Sequence, residues 1–90
     1  MAKAEKIIAK IRAHPTPPNI KWDELTLALK HLGYRVLNHD GSRRRFYHER
    51  LNHVICLHRP HPGNEVKPAY IRQVRTALED IGLIPSENLG

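Results

Sequence analysis

Arg43-Arg44-Arg45-Phe46-Tyr47-His48-Glu49-Arg50-Leu51-Asn52-His53-Val54-Ile55-Cys56-Leu57-His58 is the stretch on which the fold turns. Two β-prone runs, 43–48 and 53–58, flank four residues, and the last of these, Asn52, tolerates a left-handed backbone. Joined as a hairpin across 49–52, the runs set His48 opposite His53. The pairs running back are Tyr47–Val54, Phe46–Ile55, Arg45–Cys56, Arg44–Leu57 and Arg43–His58. Side chains alternate between the faces of a strand. This register therefore gathers Phe46, Ile55 and Leu57 on a core side and Arg43, Arg45, Tyr47 and His58 on an open side. A three-residue loop would instead move His58 to the core side.

Upstream of the hairpin, Tyr34-Arg35-Val36-Leu37 alternates as another strand, and Asn38-His39-Asp40-Gly41 supplies turn chemistry between the two. Before it, Trp22, Leu25, Ala28, Leu29 and Leu32 recur at three- and four-residue spacing. Asp23 and Glu24 lie in the first turn of this amphipathic helix and Gly33 just past its end. Further out, Ile7, Ile8 and Ile11 share one stripe of a short leading helix, which His14-Pro15-Thr16-Pro17-Pro18 must stop. Downstream, Pro60-His61-Pro62-Gly63 ends the third strand. Pro68 suits the first position of a last helix that carries Tyr70, Ile71, Val74, Leu78 and Ile81 to a stop at Gly82. The pattern predicts an α+β domain of order α-β-β-β-α, with a three-stranded antiparallel sheet, two helices on one face and an N-terminal extension helix. Three short strands with two long helices leave the second face of the sheet open. The expected divisions are 1–21 for the leading helix and proline-rich linker, 22–84 for the domain and 85–90 for a tail. The leading helix either packs on the domain or mediates self-association.

Composition bounds what such a chain can be. Ninety residues bury one modest core, about 60–65% of the unfolded surface, which excludes a large catalytic scaffold. Fifteen Lys+Arg against nine Asp+Glu give a net charge of +6, and the whole excess lies within residues 35–75. That span holds Arg35, Arg43, Arg44, Arg45, Arg50, Arg59, Lys67, Arg72 and Arg75 against Asp40, Glu49 and Glu65. A basic triplet on a hairpin is often only solvated surface. Asymmetry on this scale in a small basic domain points to an anionic partner, of which nucleic acid is the commonest. The single Cys56 excludes an internal disulfide framework and reads as a small strand residue. The N-terminus shows no signal-peptide pattern and nothing reads as a membrane span, so the expected setting is a reducing cytoplasm with no membrane partner.

Arg43, Arg45 and Arg59 suit phosphate, which guanidinium binds bidentately, and Tyr47 offers a ring on which an unpaired base can stack. Histidine titrates in the range useful for proton transfer near neutral pH, and RNA carries its own 2′-OH nucleophile. A ribonuclease therefore needs few residues: one group to take the 2′-OH proton, one to protonate the leaving oxygen, and cations to stabilise the crowded phosphorane. His58, among Arg43, Arg45 and Arg59, is the candidate for such a group. His58-x-x-His61 has the look of a metal pair, but three extended residues place the two side chains roughly 10 Å apart on opposite faces. No metal site and no cofactor is expected. Phosphate-cradling glycine loops and nucleophile elbows are missing from the sequence.

Several features follow one another at a characteristic spacing: a helix ending Leu32-Gly33-Tyr34, Gly41-Ser42 opening the second strand before Phe46, the run His58-Arg59-Pro60-His61-Pro62-Gly63-Asn64-Glu65 closing the third, and a last helix ending Ile81-Gly82-Leu83. Over residues 22–84 this order resembles the HicA family of small toxins from bacterial toxin–antitoxin pairs. The resemblance implies a fold like that of a double-stranded-RNA-binding domain (dsRBD-like), cleavage of mRNA without a metal, and neutralisation by a HicB-type antitoxin. It also exposes a departure. The family commonly reads Gly-Ser-His on the second strand, with that histidine catalytic, whereas this chain reads Gly41-Ser42-Arg43. The family's Pro-x-His near the end of the third strand is matched here by Arg59-Pro60-His61.

Two readings follow. In one, His58 serves as principal general acid/base from across the hairpin, with His61 auxiliary and Ser42, Arg43, Arg45, Tyr47, Arg59 and Lys67 contacting RNA. In the other, cleavage is lost and the chain is a non-catalytic RNA- or DNA-binding module.

Overall fold

The computed structural model describes residues 3–38, 43–60 and 63–85. Its elements are α1 (Lys3–Arg12), α2 (Trp22–His31), β1 (Tyr34–Asn38), β2 (Arg43–His48), β3 (His53–His58) and α3 (Pro68–Asp80). The strands form one antiparallel sheet in the order β1-β2-β3. This is the expected α+β arrangement, a dsRBD-like α-β-β-β-α preceded by an extra helix. Of the turn expected at Asn38 to Gly41, Asn38 is the last residue of β1 and His39, Asp40 and Gly41 lie outside the described residues.

The hairpin has the four-residue connection. Arg43 pairs with His58, Phe46 with Ile55 and His48 with His53, which excludes the three-residue alternative. Asn52 adopts φ +49°, and its N–H donates to the Glu49 carbonyl at 3.2 Å to close the turn. On the inner face Phe46, Ile55 and Leu57 are buried. The Phe46 ring meets Trp22 of α2 at 5.6 Å between centroids, one of the apolar contacts that hold the helical layer to the sheet.

Both long helices start and stop for local reasons. The Glu24 carboxylate of α2 accepts a hydrogen bond from the Lys21 N–H at 3.0 Å, satisfying one donor at the helix entrance. At the end of α3, Gly82 takes φ +80°. Its N–H donates to Glu79 at 3.1 Å and that of Leu83 to Leu78 at 3.0 Å, the paired bonds of a Schellman cap. A short ladder joins the segments leading into the two helices. Trp22 N–H reaches the Asn64 carbonyl at 2.6 Å and Val66 N–H the Ile20 carbonyl at 2.8 Å.

The leading helix packs on the domain. α1 lies against α2 and α3, with Ala4, Ile7 and Ile11 buried, and burying each isoleucine is worth about 1.5–3 kcal/mol. Beyond the helix, Arg75 of α3 donates through Nη1 to the Ala13 carbonyl at 3.1 Å. Arg75 thus serves the packing of the two ends of the chain, and its charge is not part of an exposed surface.

Candidate functional site

Alternation along three strands builds the open face of the sheet. β1 pairs Arg35 with Tyr47 and Leu37 with Arg45. β2 in turn pairs Tyr47 with Val54, Arg45 with Cys56 and Arg43 with His58. Two complete rows therefore cross this face, Arg35–Tyr47–Val54 and Leu37–Arg45–Cys56, followed by the pair Arg43–His58. None of these eight residues is acidic.

Arg43, Arg45 and His58 are exposed, as are Arg35 and Cys56, and Tyr47 is half-buried. Directly opposed residues of an antiparallel pair hold their Cβ atoms about 4.5–5.5 Å apart, so the His58 and Arg43 side chains leave the sheet side by side. Arg59 follows β3 directly and is exposed. Lys67 is exposed immediately before α3 and is not on the strand face. Ser42 and His61 lie outside the described residues. The basic triplet splits as the pleat requires: Arg43 and Arg45 point to the open side, whereas half-buried Arg44 points to the other and donates to the Arg43 carbonyl at 2.9 Å.

Arg35 entered the sequence reading only as part of the basic excess, and its place on this face was not read. The Arg35 guanidinium carbon stands 5.7 Å from the centroid of the Tyr47 ring, within cation–π range. The Tyr47 hydroxyl donates to Asn52 Oδ1 at 3.3 Å. The signal for Arg35 was its alternation with the inward-facing Tyr34 and Val36. What could not be read was the register of β1 on β2, which sets Arg35 beside Tyr47.

The opposite end of the hairpin is a different environment. His48 is 4% exposed. Its Nδ1 accepts from the Leu51 N–H at 3.3 Å and its Nε2 lies 3.0 Å from the Leu32 carbonyl. An amide N–H only donates and a carbonyl only accepts, so the ring is neutral with its proton on Nε2. Gly33, at φ +107°, lies directly under the ring. A Cβ there would come within 2.6 Å of His48 Nε2. Tyr34 packs edge-on to His48 at 5.1 Å between centroids and its hydroxyl lies 2.8 Å from His53 Nδ1. Burial pushes the Tyr34 phenol from its ordinary value up to about 12. A wide, shallow hollow beside this network is lined by His31, Leu32, Gly33, His48, Glu49 and Arg50.

Among the described residues, no group of three or more His, Cys, Asp or Glu is placed to hold a metal ion, and no helix is long and apolar enough to cross a membrane. A family model described as the HicA toxin of bacterial toxin–antitoxin matches residues 22–83. The chain belongs to the HicA toxin family. It is a toxin of toxin–antitoxin type, from a system that includes an antitoxin partner. The HicA match begins at the first residue of α2, so α1 is an addition to the part that defines the family. No curated protein and no solved structure matches the chain significantly.

Proposed function

We propose that this HicA toxin is a metal-independent endoribonuclease acting on mRNA in the cytoplasm and neutralised by a HicB-type antitoxin that covers the open sheet face. The observation that carries the reading is the pairing of His58 with Arg43 on an exposed face whose eight described strand residues include no acid, in a chain of this family. His58 is the principal general acid/base. As base it takes the 2′-OH proton while the 2′-oxygen forms a bond to phosphorus. The bond from phosphorus to the 5′-oxygen breaks, leaving a 2′,3′-cyclic phosphate, and the departing 5′-oxygen takes up a proton. His61 is the auxiliary group. Arg43, Arg45 and Arg59 hold the phosphate and stabilise the charge that grows on its oxygens. Tyr47, Ser42 and Lys67 position the strand.

A second reading has its own support. Arg43 stands where the family commonly carries its catalytic histidine, and this favours a non-catalytic RNA- or DNA-binding module. One experiment separates the two. Purified full-length chain is incubated with mRNA in EDTA, with the products examined for 2′,3′-cyclic phosphate ends. Cleavage in EDTA that is lost in His58→Ala supports the nuclease. RNA that stays intact while still bound supports the binding module.

A further inference from the structure

The open face has two chemically distinct parts, and only one of them is spoken for by phosphate chemistry. At one end are Arg43, His58 and Arg59. At the other, the row Arg35–Tyr47–Val54 combines a guanidinium plane, an aromatic ring and an aliphatic side chain that is 44% exposed. The Tyr47 ring does not lie loose on this surface. Arg35 stands over it at 5.7 Å and Asn52 holds its hydroxyl at 3.3 Å. Asn52 is itself fixed at φ +49° by the hairpin turn. Tyr47 and Arg35 are thus oriented before any ligand arrives.

We propose that the row Arg35–Tyr47–Val54 is a base-stacking platform, and that the substrate of this face is an unpaired RNA strand laid along β2. The proposal rests on the reading of the open face as an RNA site and specifies which RNA it takes. Tyr47 lies four residues from Arg43, about 13 Å along the strand. That is farther than a nucleotide's base lies from its own phosphate. A base on Tyr47 and a phosphate at Arg43 therefore belong to different nucleotides, and the strand must run along the face between them. Arg45 lies midway, on the same face, to meet the backbone in between. A duplex cannot satisfy both ends, because its base faces are already stacked inside the helix. An unpaired strand can, and every base offers a π-face, so the platform selects for single-strandedness and not for sequence. Within this arrangement Arg35 is an RNA-contacting residue and Asn52 a positioning residue for Tyr47.

The test uses the full-length chain and a short RNA, 2′-O-methylated so that it lacks the nucleophile, presented either unpaired or annealed to its complement. Tyr47→Leu is expected to weaken binding of the unpaired strand about 5- to 150-fold while leaving duplex affinity unchanged. Arg35→Lys keeps the charge and removes the planar guanidinium. It is expected to weaken the unpaired strand while leaving the salt dependence unaltered. An abasic nucleotide scanned through the strand should find one position where Tyr47→Leu costs nothing further. Melting temperatures equal to that of the parent chain certify the variants, and Arg35, which is exposed, supplies the readout should Tyr47→Leu not fold.

Equal losses on unpaired and duplex RNA, or none in either variant, overturn the platform. If unmodified mRNA is cleaved in EDTA and the strand-selective effect on the methylated RNA is missing, the platform fails and the nuclease stands. If unmodified mRNA is left intact and the strand-selective effect is present, the nuclease fails and the platform stands.

Discussion

The two ends of the β2–β3 hairpin carry the same kind of residue in opposite surroundings. At the turn end, His48 faces His53 in the register; at the far end, Arg43 faces His58. His48 is buried, its two ring nitrogens are engaged by backbone groups, and Gly33 makes room for its ring. His58 is exposed beside arginines. A buried imidazole tied at both nitrogens has no lone pair or proton to offer a substrate, whereas an exposed one is within a substrate's reach. Histidine is therefore a building material at one end of this hairpin and, in the proposed function, a reagent at the other, and burial separates the two.

The sharpest way to break this contrast is to exchange the expected outcomes. His58→Ala should lower RNA cleavage by roughly 10²- to 10⁴-fold, the usual worth of a general acid/base, while its thermal unfolding midpoint stays with the parent. An equal loss in stability would put His58 with the structural histidine.

His48→Ala should do the reverse at the level of folding. It leaves the Leu32 carbonyl and Leu51 N–H without their partner and opens a cavity, a loss of roughly 2–4 kcal/mol in denaturant unfolding. Gly33→Ala attacks the same contact from the other side. It adds left-handed strain and a clash with the His48 ring, and should cost about 2–3 kcal/mol. In the double variant Gly33→Ala/His48→Ala the two losses should fall short of additive, because removing the ring removes the clash.

At the cationic end, Arg45→Ala should lower the salt slope of RNA binding by about 0.7–1 and leave unfolding unchanged. The smallest effect belongs to Tyr34. Its phenol keeps its proton to about pH 12 in the folded chain, whereas an unfolded tyrosine releases it near about 10. The stability it contributes is therefore complete below about pH 10 and is lost as pH rises from there through 12. Tyr34→Phe should lack that alkaline decline in unfolding curves measured beside the parent.

The outline of the fold was legible because each element carries its own local signal. Trp22 to Leu32 repeats at helical spacing, Pro68 and Gly82 bracket α3, and Asn52 marks the turn that fixes the hairpin register. Arg43, Arg45, Tyr47 and His58 on the open face followed from that register alone. What stayed hidden depends on contacts between elements distant in sequence. The alternation in β1 places Arg35 opposite to Val36, but only the pairing across residues 39–42 brings it to Tyr47. His48 looks like any strand histidine until the end of α2 arrives above it, with Leu32 sixteen residues away. The Ile7–Ile11 stripe shows that the leading helix buries a face, and nothing local says that α2 and α3 receive it.

That docking has a consequence for how the domain folds. Arg75 reaches back 62 residues to the Ala13 carbonyl, and Ile7 and Ile11 share one core with Ile71, Val74 and Leu78. Contacts that close so long a loop cost chain entropy before they are rewarded, so the docking of the first helix on the last is expected among the late steps of folding.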